Sequence, residues 1–109
     1  MSWSVNFYQS QSGDSPVKDF IEKQDIVLRI RVAHSIKLLF DQGPFLKPPY
    51  IKKLGKRFYE LRISGLIPIR IFYTIYNGEY YLLHAFKKKT QKTPLHEIKT
   101  ALYRMGKII

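Results

Sequence analysis

Hydrophobic and polar residues follow two different periods in the first 45 residues. Along residues 3–8 every second side chain is apolar, and this period of two predicts a strand with one buried face. Ser15-Pro16 indicates a helix start, and a second helix is predicted from about Asp25 until Gly43-Pro44 ends it. The apolar face of that second helix combines two neighbouring stripes at helical spacing: Ile26, Ile30, Ala33 and Phe40, and Leu28, Val32, Ile36 and Leu39.

The second half of the chain is rich in β-type patterns. Four strands are predicted at about residues 50–54, 57–64, 67–76 and 80–87, and Asn77-Gly78 is a strong signal for a two-residue hairpin turn. Thr93 is the predicted cap of a last helix, with Pro94 at its first position. The order β-α-α-β-β-β-β-α predicts an α+β fold. We expect one domain of residues 1–109, in which two N-terminal helices and one C-terminal helix cover an antiparallel sheet.

The register of the two central strands follows from their alternation, because a slip of one residue would turn every side chain to the wrong face. With residues 64–68 as the connecting loop, three apolar pairs form the core face: Ile63 with Ile69, Leu61 with Ile71, and Tyr59 with Tyr73. The predicted role of Tyr73 is therefore packing.

The opposite face of the same strands is basic, with Arg62 opposite Arg70 and Glu60 opposite Phe72. Counting on across the hairpin assigns the last strand: Ala85 beside Arg70, Lys87 and Lys89 further along this face, and His84 on the core face. Like charges that face each other destabilise a sheet, so the arginine pair favours an anion such as a phosphate between them. The alternative is that Glu60 satisfies one arginine and solvent the other.

Net charge is distributed unevenly along the chain. The 109 residues contain 19 Lys and Arg against 8 Asp and Glu, which gives a net charge of +11. Residues 1–41 hold equal numbers of basic and acidic side chains, so residues 42–109 carry the entire excess. A one-sided positive field of this size indicates a polyanionic partner, with nucleic acid the leading candidate. A solvated basic surface with no partner is the alternative.

Several chemistries require residues that the sequence lacks. It has no cysteine, which removes disulfides, thiolate catalysis and cysteine-based zinc sites. Three scattered histidines without matching carboxylates predict no metal site, and we expect no cofactor. It has no nucleophilic serine motif, no glycine-rich phosphate loop and no nuclease-type carboxylate pair. Without a signal-peptide pattern or an apolar run of membrane-spanning length, the expected location is the cytoplasm, with no membrane partner.

Three segments in order, KKLGKRFYELRISG, IRIFY and LLHAFKKKTQKTP, resemble the HigB-like branch of the RelE/ParE superfamily of bacterial and phage toxins. The resemblance covers most of the chain. It implies a RelE-like fold and a toxin of a type II toxin-antitoxin module that cleaves mRNA on the ribosome. It also implies a helix-turn-helix antitoxin encoded next to the toxin as a partner. The alternative is a non-catalytic protein, either a ParE-like toxin with a protein target or a phage RNA-binding module.

The resemblance also implies where the site lies. The family's catalytic surface is the open face of the sheet, so its basic positions fall on Arg62, Arg70 and the strand end at Lys87–Lys89. We expect a metal-independent endoribonuclease in which a ribose 2′-hydroxyl attacks the adjacent phosphate while the two arginines stabilise the phosphoryl oxygens. The predicted proton carriers are Lys87 or Lys89, with Glu60 as the alternative base. The predicted RNA-binding residues are Lys52, Lys53, Lys88, Lys92 and His96.

Overall fold

The strands and helices occur in the predicted order. In the computed structural model, which describes residues 2–109, the strands are β1 (Val5–Phe7), β2 (Ile51–Gly55), β3 (Phe58–Ile63), β4 (Ile69–Tyr76) and β5 (Glu79–Lys87). The helices are α1 (Pro16–Glu22), α2 (Ile26–Gln42) and α3 (Leu95–Gly106), and a 3₁₀ turn at Gly43–Phe45 follows α2. The α+β class and the order of elements are confirmed.

The five strands form one sheet in the order β1-β5-β4-β3-β2. Strands β2 to β5 are successive antiparallel neighbours, whereas β1 pairs with β5 in parallel. The sheet is therefore mixed rather than fully antiparallel. The helices α1 and α2 carry the chain from β1 at one edge to β2 at the other, and the antiparallel succession from β2 back to β5 then brings β5 beside β1 in the parallel direction.

Local side-chain chemistry sets the ends of α2. The Asp25 carboxylate accepts a hydrogen bond from the Leu28 N–H at 2.9 Å, which satisfies one of the free donors of the first turn. Gly43 ends the helix with a φ of +50°, and the Trp3 ring lies where a β-carbon on that residue would stand. The start of α3 differs from the prediction, because Pro94 is the capping residue and Thr93 makes no cap.

Both faces of the sheet are covered. On one face, α1 and α2 pack on the predicted apolar pairs of β3 and β4 and on Leu82 and Ala85 of β5. On the other face, α3 packs through Ala101 and its neighbours onto Phe58, Phe72 and Phe86. The expected open face is thus closed over β4 and β5, because its large aromatic side chains need cover from water.

The two predicted stripes of α2 have different environments. Val32 and Leu39 are fully buried against the sheet, with Leu28 and Ile36 packed beside them. The other stripe, of which Ile26 and Ile30 are part, lies largely in solvent. The prediction that both stripes form one core-facing surface is therefore wrong for the stripe that contains Ile26 and Ile30.

Candidate nucleic-acid interface

The predicted register of β3 and β4 is confirmed at every pair. Arg62 lies opposite Arg70, Glu60 lies opposite Phe72, and the three apolar pairs occupy the other face. Tyr73 is buried and stacks on Tyr59 with ring centres 5.2 Å apart, in agreement with a packing role. The two central strands therefore present a basic pair on the α3 side of the sheet.

The register of β4 and β5 differs from the prediction. Phe86, not Ala85, lies opposite Arg70, and Ala85 lies opposite Ile71 on the α1 and α2 face. The cause is a β-bulge, since Leu83 has no partner between two regular pairs of the ladder. An extra residue reverses the faces of all side chains that follow it.

The bulge changes three site assignments. His84 lies on the Arg70 face instead of the core face, because it is paired with Phe72. Lys87 is paired with Ile69 and therefore belongs to the opposite face, so its predicted place beside the arginines is wrong. Lys88 takes that place, and its backbone N–H donates to the Pro68 carbonyl at 2.8 Å.

A buried carboxylate joins the two arginines. The Glu60 side chain is only 4% exposed, and its Oε1 accepts a hydrogen bond from Arg62 Nε at 2.9 Å. Arg70 Nε lies 3.7 Å from the same oxygen, too far for a hydrogen bond. Glu60 therefore satisfies Arg62 but leaves Arg70 only partly compensated.

Arg70 is the least satisfied cation of this surface. Its side chain is 14% exposed, and one terminal nitrogen donates to the Ile69 carbonyl at 3.2 Å. Its Nε is buried without a hydrogen-bond partner. Burial lowers the pKa of Arg70, Glu60 opposes that effect, and Arg62 adds to it. Because the Nε nitrogen is enclosed by the protein, an anion bound at this surface would compensate the charge of Arg70 without accepting from its Nε.

Two lysines lie beside Arg70 on one side. A shallow groove beside Arg70 is lined by Lys88 and Lys89, which directly follow β5, and by Leu66 and Ile67 from the loop between β3 and β4. Lys88 Nζ donates to the Gln91 carbonyl at 2.9 Å, while Lys89 is exposed. The groove therefore combines three cationic side chains, which is the chemistry that a phosphate requires.

The remaining predicted RNA-binding residues are dispersed. Lys52 is paired with Glu60 and thus shares the arginine face. Lys53 is paired with Tyr59 and its Nζ lies 5.9 Å from the centre of that ring, so it lies on the opposite face. Lys92 is exposed in the segment before α3, and His96 is exposed in the first turn of α3.

A hydrogen-bonded cluster around His84 links α3 to β5 next to this surface. His84 Nε2 lies 2.7 Å from Glu97 Oε1, and His84 Nδ1 lies 3.2 Å from Arg104 Nη1, which also donates to the Leu83 carbonyl. Arginine can only donate, so Nδ1 accepts from Arg104, and the Nε2–H donates to the Glu97 carboxylate. Burial lowers the pKa of His84, with Glu97 opposing and with Arg104 and His96 adding to the effect. His84 is therefore a neutral structural link.

We expect this cluster to make stability depend on pH. Because the folded-state pKa of His84 is lowered, the unfolded chain binds the proton first as the pH falls below about 6.5, and the free energy of unfolding decreases. His84→Gln should therefore lose less stability than the wild type between about pH 7.5 and 5.5. Melting temperatures at the two pH values measure this. The control is His34→Gln, at an exposed position of α2, and equal slopes for all three proteins would contradict the expectation.

Two features are absent from residues 2–109. This part of the chain has no group of three or more His, Asp or Glu side chains arranged to hold a metal ion. None of its helices combines the length and apolar character that crossing a membrane needs.

Comparison with known proteins adds a family assignment. Among curated proteins, none matches the chain. The family model described as "Phage derived protein Gp49-like (DUF891)" matches residues 19–106, a range that runs from α1 to the end of α3. This range includes the arginine surface, which consists of Glu60, Arg62, Arg70, Lys88 and Lys89. The chain therefore belongs to the phage-derived Gp49-like family, a toxin-like family of the RelE/HigB type.

Proposed function

We propose that this chain is the toxin of a type II toxin-antitoxin module and a HigB-like endoribonuclease that cleaves mRNA on the ribosome. The observation that carries this proposal is the pair of facing arginines, one of which is largely buried and only partly neutralised, beside a lysine-lined groove. A buried charge that is incompletely paired is costly unless a bound anion compensates it. The Gp49-like family supports a toxin-type module, and the excess charge of residues 42–109 supports an RNA substrate.

The proposed reaction needs no group beyond the chain and its substrate. The ribose 2′-oxygen attacks the adjacent phosphorus, the bond from phosphorus to the 5′-oxygen breaks, and the products are a 2′,3′-cyclic phosphate and a 5′-hydroxyl. Arg62 and Arg70 stabilise the charge that develops on the non-bridging oxygens. Glu60 is the carboxylate in contact with both arginines and accepts the 2′-hydroxyl proton. Lys89, exposed beside Arg70, protonates the leaving 5′-oxygen.

Two pairs of adjacent lysines, Lys52 with Lys53 and Lys87 with Lys88, test the binding surface. In each pair one lysine lies on the face of Arg62 and Arg70 and the other lies on the opposite face. Lys52→Ala and Lys88→Ala should each weaken binding to single-stranded RNA and should each lower the slope of log affinity against log salt by about 0.7. Their neighbours Lys53 and Lys87 are matched controls, because they lie on the opposite face by register. Fluorescence anisotropy over a series of salt concentrations measures both quantities. Equal losses within each pair would contradict the surface as assigned.

The further assignments complete the proposal. Lys92 and His96, both exposed near the start of α3, contact the RNA or ribosome backbone at the edge of the same surface. Residues 1–109 act as one toxin domain in the cytoplasm. The protein partner is a helix-turn-helix antitoxin encoded next to the toxin.

Reconstituted translation tests the function as a whole. We expect the purified chain to cut a defined mRNA on programmed ribosomes and to leave the same mRNA largely intact without ribosomes. Arrested translation with uncut mRNA would contradict the proposal and would instead indicate a non-catalytic toxin. Uninhibited translation would contradict both.

A further inference from the structure

An apolar stripe on α2 has no cover within the described chain. Ile26, Ile30 and Phe40 are 59%, 61% and 42% exposed, and Ala33 between them is also exposed. Isolated apolar side chains on a surface are common, but here they recur on one side of a helix for four turns. At 1.5 Å per residue, the stripe from residue 26 to residue 40 is roughly 21 Å long.

The spacing of the stripe is that of a coiled-coil seam. The residues at positions 26, 30, 33, 37 and 40 are separated alternately by four and three positions, an average of 3.5. This heptad period keeps one side of a helix against a neighbouring helix along its length. Lys37 is the one polar member, and a single lysine at such a position sets the register and the choice of partner. The surface therefore fits a helix rather than a strand or a loop.

The edge strand β1 lies beside the seam, and the two together form a groove. Val5 and Phe7 of β1, the edge strand, line a groove together with Ile36 and Phe40 of α2. This groove includes Ala33 and Lys37, so it is continuous with the seam. A docked helix would thus bury apolar side chains from two elements of the chain.

Charge decides between the possible occupants. RNA is disfavoured, because residues 1–41 sum to zero charge and the seam is apolar. A second copy is disfavoured, because its seam positions include Lys37 but no carboxylate that could face the Lys37 of the first copy. Lys37 is paired only with Asp41 on its own helix, and both side chains are well exposed, 70% and 46%. Such a pair contributes little and leaves Lys37 free to change partner.

We propose that the α2 seam is the docking surface for an acidic amphipathic helix of a partner protein, with a carboxylate facing Lys37. Naming the antitoxin as the protein that carries this helix rests on the proposed function. The seam and the arginine surface lie on opposite sides of the sheet, because α2 packs on one face and Arg62 and Arg70 belong to the other. A helix docked on α2 therefore leaves Arg70 uncovered.

A designed peptide tests this surface without any RNA chemistry. The probe is a three-heptad helix with leucines along its seam and one glutamate placed to face Lys37. We expect Ile30→Ser to weaken its binding at least tenfold in calorimetry. Lys37→Glu should also weaken it, and a peptide with lysine in place of that glutamate should restore binding to Lys37→Glu. Leu102→Ser, at an exposed apolar position of α3, is the matched control and should bind normally.

Several results would overturn the proposal. They are no binding by the wild type, equal binding by Ile30→Ser, no rescue in the charge-swapped pair, or a homodimer in light scattering that Ile30→Ser dissociates. Circular dichroism confirms that each variant folds, which is expected because both substituted side chains are exposed. The outcome does not depend on catalysis. A chain that binds the peptide but leaves ribosomal mRNA intact would contradict the proposed function and not the docking surface.

Discussion

Arg70→Ala is expected to lower the rate of mRNA cleavage by about 10³-fold. Arg70 lines the groove and lies directly opposite Arg62, so a phosphate bound there gains a charge-assisted contact from a cation that Glu60 only partly neutralises. If that contact strengthens as charge develops on the phosphoryl oxygens, its loss lowers kcat more than substrate affinity. Single-turnover cleavage on programmed ribosomes at saturating enzyme measures this effect.

The same substitution should leave the fold intact. It removes a guanidinium whose pKa is already lowered by burial, and it relieves the repulsion with Arg62. We expect the melting temperature to stay within about 5 °C of the wild type. Arg70→Lys should recover only part of the activity, because lysine has a point charge in place of a planar fork of donors. Near-normal cleavage by Arg70→Ala would refute the phosphate clamp, whereas a collapsed melting temperature would assign to Arg70 a structural role.

Glu60→Gln is expected to lower cleavage by about 10²- to 10⁴-fold, the usual contribution of a general base. The amide oxygen of glutamine can still accept the hydrogen bond from Arg62, but it cannot take a proton at neutral pH. Because the ion pair with Arg62 becomes a hydrogen bond from a guanidinium to a neutral amide at a buried position, we also expect a loss of about 1 to 3 kcal/mol in the free energy of unfolding. Cleavage rates and denaturant unfolding of the same preparation give the two quantities.

A second glutamate is the control for this change. Glu79 accepts hydrogen bonds from Ser4 and Asn6 at the start of β5, in the hairpin region, so Glu79→Gln makes the same chemical change outside the arginine surface. Its cleavage rate should equal that of the wild type. If Glu60→Gln retains activity while Glu60→Ala loses it, Glu60 only positions Arg62, and the proton acceptor must be another group.

The sequence predicted the part of the fold that depends on one uninterrupted alternation. In β3 and β4, three apolar pairs determine which face each side chain takes, so the opposition of Arg62 and Arg70 was predictable before any coordinates. The helix start at Asp25 and the turn at Asn77-Gly78 were predictable from local chemistry as well.

The prediction failed where the period of two is broken. The two adjacent leucines at 82 and 83 interrupt the alternation of β5, and this was the available signal for the bulge. Counting straight through it placed Lys87 and Ala85 on the wrong face and moved His84 into the core. The link from His84 to Glu97 could not be inferred, because the two residues belong to different elements with no shared period.

The alternation of apolar and polar residues also cannot predict that a strand is buried on both of its faces. Phe58, Phe72 and Phe86 share a face with Arg62 and Arg70. The resemblance implied that this face is open, and the alternation could not show that α3 covers its aromatic part. The heptad spacing on α2 showed an apolar stripe but not what covers it. Only the three-dimensional structure distinguishes the buried positions of α2, such as Val32, from its exposed positions, such as Ile30.

Analysis of the RNA ends produced on programmed ribosomes tests the central claim most directly. Wild-type chain and Arg70→Ala are added at equal concentration to ribosomes holding a labelled mRNA, and the fragments are examined for their termini. The wild type should produce an upstream fragment ending in a 2′,3′-cyclic phosphate and a downstream fragment beginning with a 5′-hydroxyl, and folded Arg70→Ala should produce almost none. Intact mRNA with the wild type, or fragments with 3′-hydroxyl and 5′-phosphate ends, would contradict 2′-hydroxyl attack at the arginine surface.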